Sequence, residues 1–176
     1  MQARIISSFI LGLAMVILFA VPSSAKKGKK EGASIPPKIS AEQAIAAIKT
    51  ALTKISTGKA FVKEGRRGEK KLEVPLVLDS KIVGRIALNP ASGEILSKGI
   101  KFQSQQVSIS PDQAVAAVQQ TLPNFQVGAA RLAKDGQWKV GLTLKGAEIA
   151  TIGVNGQDGS ISTDWKAAKD VERWGK

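Results

Sequence analysis

One ten-residue pattern is written twice in this chain. Ile39-Ser40-Ala41-Glu42-Gln43-Ala44-Ile45-Ala46-Ala47-Ile48 returns as Ile109-Ser110-Pro111-Asp112-Gln113-Ala114-Val115-Ala116-Ala117-Val118, at a spacing of 70 (109 minus 39). Both copies are helix starts. Ser40 and Ser110 offer a hydroxyl to an orphan N–H of the first turn, and Gln43 and Gln113 reach back from three residues on, which is a capping box. Pro111 stands at the first helical position, where its missing N–H costs nothing. Glu42 and Asp112 place negative charge at the positive end of the helix dipole. Ile45, Ile48, Leu52 and Ile55 then keep the helical period, and Val115, Val118, Leu122 and Phe125 repeat it. Each helix therefore carries one apolar stripe for a core.

The segment after each helix reads as strands. Leu72, Val74, Leu76 and Leu78 alternate with residues such as Glu73 and Asp79, and Trp138, Val140, Leu142 and Leu144 alternate with Lys139, Gly141, Thr143 and Lys145. Alternation of this kind predicts half-buried antiparallel strands with one wet face. A second strand holds Ile86 and Leu88, matched by Ile152 and Val154. Turns come next at Asn89-Pro90-Ala91-Ser92-Gly93 and Asn155-Gly156-Gln157-Asp158-Gly159, and Ile95 and Ile161 open a last short strand. Pro75 and its counterpart Gly141 are poor central-strand residues, so a bulge or a sheet edge is expected there in both copies. Ile100 and Phe102, in the link between the copies, are expected to continue a strand. Val171 and Trp174 share one side of a short helix expected near the end of the chain, with Trp165 and Trp174 as packing residues.

The helices lie 70 apart, as do Gly58 and Gly128, but the strands lie 66 apart (138 minus 72). Four extra residues therefore sit in the first copy, and the first hairpin is the expected place. The second copy has Lys134-Asp135-Gly136-Gln137 there, a strong tight-hairpin signal. The first has Glu64-Gly65-Arg66-Arg67-Gly68-Glu69-Lys70-Lys71, longer and basic. Arg66, Arg67, Lys70 and Lys71 are the candidate partner-binding residues: four cations at a hairpin tip, freely bending at Gly65 and Gly68, that an acidic partner would neutralise.

Composition removes whole classes of chemistry. The chain has no Cys, His or Tyr. No disulfide, thiolate or imidazole ligand is available, and catalysis by Ser-His-Asp or Cys-His sets is excluded. Paired carboxylates such as Glu69 and Glu73 can be picked out, but they sit in a hairpin among lysines, so no catalytic residue, metal or cofactor is expected. The first 25 residues read as a cleaved signal peptide: Arg4, an apolar run over residues 9–21, then Ser23-Ser24-Ala25 before the expected cut. An uncleaved anchor needs about 20 apolar residues, and this run is shorter. Lys26-Lys27-Gly28-Lys29-Lys30 also opposes the charge bias of an N-in anchor. Residues 26–37 form a flexible basic leader. The expected location is periplasmic or extracellular, with no membrane span after cleavage.

The expected fold class is α+β. Two tandem repeats, residues 38–104 and 107–165, each lay one N-terminal helix on a three- to four-stranded antiparallel sheet, and residues 166–176 form a C-terminal tail. Units of this size are marginal alone, so the two should pack together.

On these residues the chain resembles a tandem of PepSY-type domains. The resemblance rests on Ile-Ser-Ala/Pro-Glu/Asp-Gln-Ala in each copy, a Val-x-Leu strand and an Asn-x-x-x-Gly-x-Ile turn near each end. The family usually has Asp where Asn89 and Asn155 stand, and an aromatic where Leu72 stands; Trp138 keeps it. The resemblance implies an exported, non-catalytic module, associated with propeptides of thermolysin-type metalloproteases and with envelope proteins, that binds and restrains proteases. A protein partner, a secreted metalloprotease among the candidates, is thus the first expectation. The alternative is a basic module adhering to anionic envelope polymers. Charge supports it, since residues 39–103 carry 12 basic and 6 acidic residues while residues 107–165 carry 4 and 5. Nucleic acid is not expected, because the basic run lacks interleaved aromatics.

Overall fold

Both capping boxes form. Ser40 and Ser110 each accept from the backbone N–H of the Gln three residues on, at 3.3 and 3.2 Å, and each Gln side chain accepts from the serine N–H, at 2.8 and 2.9 Å. They open α1 (Ala41–Leu52) and α2 (Pro111–Thr121). The stripes are buried as their spacing requires: Ile48 and Ile55 in the first copy, Val118 and Phe125 in the second. The computed structural model describes residues 36–100 and 104–176. The expected signal peptide, nearly all of the expected leader and Phe102 lie outside the described residues.

The chain is α+β, with two antiparallel sheets. The first contains β1 (Ser56–Thr57), β2 (Phe61–Glu64), β3 (Lys70–Leu78) and β4 (Lys81–Leu88); β1 and β2 lie end to end along one side of β3, and β4 along the other. The second runs in order β5 (Gln126–Leu132), β6 (Gln137–Leu144), β7 (Ala147–Asn155) and β8 (Ile161–Ser162). A bridge between Leu88 and Ile95 stands where Val154 pairs with Ile161. The closing turns match bond for bond: Asn89 and Asn155 side chains accept from the N–H two residues on, and Gly93 and Gly159, at φ of 76° and 75°, donate back to the Asn carbonyls.

The four-residue insertion falls in the first hairpin, as expected, but the turn itself is not longer. Gly65 N–H donates to Glu69 and Gly68 N–H to Gly65, just as Ala133 N–H donates to Gln137 and Gly136 N–H to Ala133. Gly68 and Gly136 both sit at φ 76°. The same turn is carried on a ladder two residues longer in each strand, so no side chain changes face. The freely bending tip expected at Gly65 and Gly68 is a defined tight turn.

Pro75 is not at an edge: β3 is a central strand. Its missing N–H is accommodated because it lies opposite the break between β1 and β2, and its carbonyl accepts from Gly58 at 2.9 Å. Gly141 lies opposite the irregular register of β5 between Val127 and Ala130. A further shift of register comes one residue after each, at Leu76/Val77 and Leu142/Thr143. The expected irregularity exists in both copies, on the neighbouring strand and one residue along. Ile100 does not continue a strand; its N–H donates to Ser97 O at 3.2 Å, closing a turn at Lys98 and Gly99, and its side chain is exposed.

The expectation of helices laid on their own sheets is corrected. α1 lies against β5, β6 and β7 of the second sheet, and α2 against β1 and β3 of the first. The entry to each helix is tied to the closing turn of the sheet it covers. Lys38 and Ile39 donate to Gly156 O at 2.7 and 3.1 Å, and Ser108 and Ile109 to Pro90 O at 2.9 and 3.2 Å. The Trp138 indole N–H donates to Ile39 O at 3.1 Å, which satisfies a half-buried donor and pins α1 to β6. β4 lies beside β7, where Gly84 permits close approach to Thr151. One core results, running from Ala44 and Ile48 through Leu72, Leu76 and Ile86 to Leu142 and Ile152. A small unit gains most by sharing its buried surface in this way.

The tail is not loose. Asp164 caps α3 (Trp165–Trp174), accepting from Ala167 N–H at 2.9 Å, and its own N–H donates to Ile82 O. α3 lies on β2 and β4, on the outer face of the first sheet. Ala167 and Phe61 are buried there. β3 is thereby buried on both faces, against the expectation of a wet face. No helix among the described residues is long and apolar enough to cross a membrane.

Candidate binding surfaces

The structure does not bring Arg66, Arg67, Lys70 and Lys71 onto one surface. Arg66 and Arg67 sit in the turn and are exposed. Lys70 and Lys71 are neighbours in β3, so they leave opposite faces of the ribbon. Lys71 is exposed opposite Lys63, whereas Lys70 is half-buried and its N–H donates to Ser104 O at 2.7 Å. None of the four is ion-paired among the described residues. Glu69 folds under the turn and accepts from Arg67 N–H at 2.9 Å. Backbone N–H groups of Glu69 and Arg67 hold its carboxyl below the usual range. Glu73 pairs with Arg85 at 2.9 Å, so Glu69 and Glu73 form no carboxylate pair.

Under α3 a partly buried charge cluster is complete. Asp170 accepts from Lys63 at 2.7 Å and from Arg85 at 2.5 Å, and Glu73 takes the same Arg85 nitrogen. Burial alone would raise the Asp170 pKa; the bonds from Lys63 and Arg85 and their charges outweigh it and hold the carboxyl below its ordinary value. Burial also works against the Arg85 charge, but Glu73, Asp170 and Asp164 raise its pKa.

Among the described residues no helix covers the equivalent face of the second sheet. Register aligns Arg131, Lys139, Gly153 and Ser162 in one row across β5 to β8. The matching row of the first sheet is Phe61, Glu73, Ala87 and Leu96, on the face against which α3 packs. On the open face lies a groove of about 550 Å³, with Lys98, Arg131, Lys139, Gln137 and Thr151 among its lining. Leu132 and Trp165 also line it; they are 50 and 79% exposed, and they are two of the three large apolar side chains that the described residues leave in solvent.

Charge on this face is unevenly matched. Glu148 accepts from Lys98 at 2.9 Å and from Arg131 at 3.0 and 3.1 Å. The bond from Lys98 chiefly holds its carboxyl below the ordinary range, against a smaller opposing effect of burial, with Thr151 and the Arg131 charge assisting. Lys139 donates to the Gln137 side-chain oxygen at 2.8 Å and has no carboxylate partner among the described residues. Sequence reading missed this face. Its signal was the cross-strand alignment of Arg131 with Lys139, which only the register supplies.

A second open groove, about 820 Å³, lies where the end of α2 meets the β6–β7 turn. Ile95, Phe125, Leu144 and Ile149 line it, and among the described residues Glu94 and Lys145 are its charged ones. Among the described residues no three acidic side chains are grouped so as to hold a metal ion. No family model, curated protein or solved structure matches the chain.

Proposed function

We propose that this chain is an exported, non-catalytic binding module of two PepSY-like repeats with exchanged helices, and that it binds a protein partner in the cell envelope. The observation that carries the reading is the open outer face of the second sheet. It presents aligned cations with the exposed Trp165 beside them, whereas α3 packs against the matching face of the first sheet. Mixed charged and apolar surface of this kind suits a protein interface, with aromatic and Arg anchors inside a polar rim. The matched caps, hairpin turns and closing turns support two repeats of one design. The resemblance to PepSY domains makes a secreted metalloprotease the first partner to test.

The Arg66–Arg67 turn favours the second reading, a module that adheres to anionic envelope polymers, because both cations are exposed and unpaired among the described residues. Two measurements separate the readings. The protein is titrated into a thermolysin-type metalloprotease, and it is used as bait in envelope extract at low and high salt. Stoichiometric inhibition, or one protein held at high salt, supports the first reading. Retention of bulk polymer that high salt abolishes supports the second, since exposed charge contacts are screened. Absence of both overturns the proposal.

A further inference from the structure

We infer that the outer face of the second sheet docks an amphipathic helix of a partner protein that carries carboxylates on its inward side. The inference rests on the binding-module reading above and adds the face and the chemistry of its occupant. The first sheet supplies the precedent. There α3 packs on β2 and β4 at the Phe61 and Glu73 end of the row, burying Ala167 completely and presenting Asp170 to Lys63 and Arg85.

The second sheet is prepared for the same kind of cover with one component missing. Arg131 and Lys139 stand directly opposite each other on β5 and β6. Like charges in that position repel. Glu148 is shared between Lys98 and Arg131, and among the described residues Lys139 bonds only an amide oxygen. Asp135 and Asp164 also line the groove and keep their charge; each accepts a backbone N–H, from Gln137 and Ala167, and neither is ion-paired with Lys139. A carboxylate arriving between Arg131 and Lys139 relieves the repulsion and gives Arg a bidentate partner. The Gln137 oxygen and the Lys139 ammonium lie over Gly153, 3.1 and 3.3 Å from where a Cβ would stand, so the cation sits at the middle of the row. Trp165 on the rim offers apolar surface to the flank of the helix.

The test uses an alanine-rich synthetic helical peptide with two glutamates one turn apart on its apolar side, its glutamine counterpart, and polygalacturonate. Each is titrated into the purified protein while backbone amide shifts and melting temperature are followed. The glutamate peptide should shift the amides of Lys139, Gly153 and Ser162. The glutamine peptide should bind about tenfold more weakly, and the double variant Arg131→Ser, Lys139→Ser should lose a similar factor with its melting unchanged. Shifts confined to residues 64–71 overturn the site and leave the binding-module reading standing. Polygalacturonate shifting the same amides while the peptide does not overturns the helical occupant. No shift with either probe overturns the inference outright.

Discussion

Phe61, Glu73, Ala87 and Leu96 hold the same places in the first sheet that Arg131, Lys139, Gly153 and Ser162 hold in the second. The inner faces of the two sheets are alike, with Val74, Leu76 and Ile86 answered by Val140, Leu142 and Ile152, all fully buried. The outer faces have diverged. Where α3 lies, Phe61 and Glu73 are buried and the charges are paired within the chain. Where no described helix lies, Arg131 and Lys139 stand side by side, and Lys139 has no carboxylate partner among the described residues. The inner face is set by a core that both repeats need. The outer face is free to differ, and among the described residues only the first sheet has a helix on it.

The largest effect should come from the face that the sheets share. Ile86→Ala and Ile152→Ala remove the same side chain from matching places in one core, and each should cost about 2–5 kcal/mol. Denaturant unfolding should show a single transition in both variants, because α1 and α2 bind each sheet to the other repeat. Two transitions, only one of them moved, would break the comparison by showing the sheets to be independent.

A smaller effect separates the outer faces. Asp170→Asn weakens the partner of Lys63 and Arg85 beneath α3 and should cost about 1–3 kcal/mol at neutral pH, whereas Glu148→Gln, on the open face, should cost less than about 1 kcal/mol. Both carboxyls titrate below their ordinary values in the folded protein. Their contribution is therefore complete above the unfolded-state value, near pH 4, and is lost as pH falls through the lower folded value. Acid unfolding should be shallower in Asp170→Asn than in the parent, and nearly unchanged in Glu148→Gln. Equal effects would mean that α3 does not shelter its cluster.

The smallest effect concerns the hairpin. Changing Arg66, Arg67, Lys70 and Lys71 together to Ser should alter stability by no more than about 0.5 kcal/mol, because all four lack ion pairs among the described residues and the turn is held by backbone bonds and Glu69. A large loss in thermal melting would show the basic tip to be structural.

The sequence by itself determined every feature written in neighbouring residues. The capping boxes arise from Ser and Gln three apart, and the stripes from the helical period. The closing turns arise from Asn and Gly four apart, and the place of the insertion from the change of spacing between the copies. These are local effects, decided by backbone orphans, rotamers and φ. One local device escaped notice: Asp79 and Ser80 turn between β3 and β4 at φ of 46° and 63°, doing without glycine what Lys145 and Gly146 do in the second copy. Tertiary structure alone decided the rest. Each helix has a stripe that fits either sheet, since both inner faces are rows of Val, Leu and Ile, so the exchange of α1 and α2 was not legible. It is fixed by chain geometry and by the bonds of Lys38 and Ile39 to Gly156 and of Ser108 and Ile109 to Pro90. Alternation likewise predicted a wet face for both sheets and could not say which of them α3 would cover. That choice was made where Asp164 ties to Ile82 and where Asp170 finds Lys63 and Arg85. The row of Arg131 and Lys139 exists only once strands distant in sequence are in register, because a charge on one strand carries no sign of what stands opposite it.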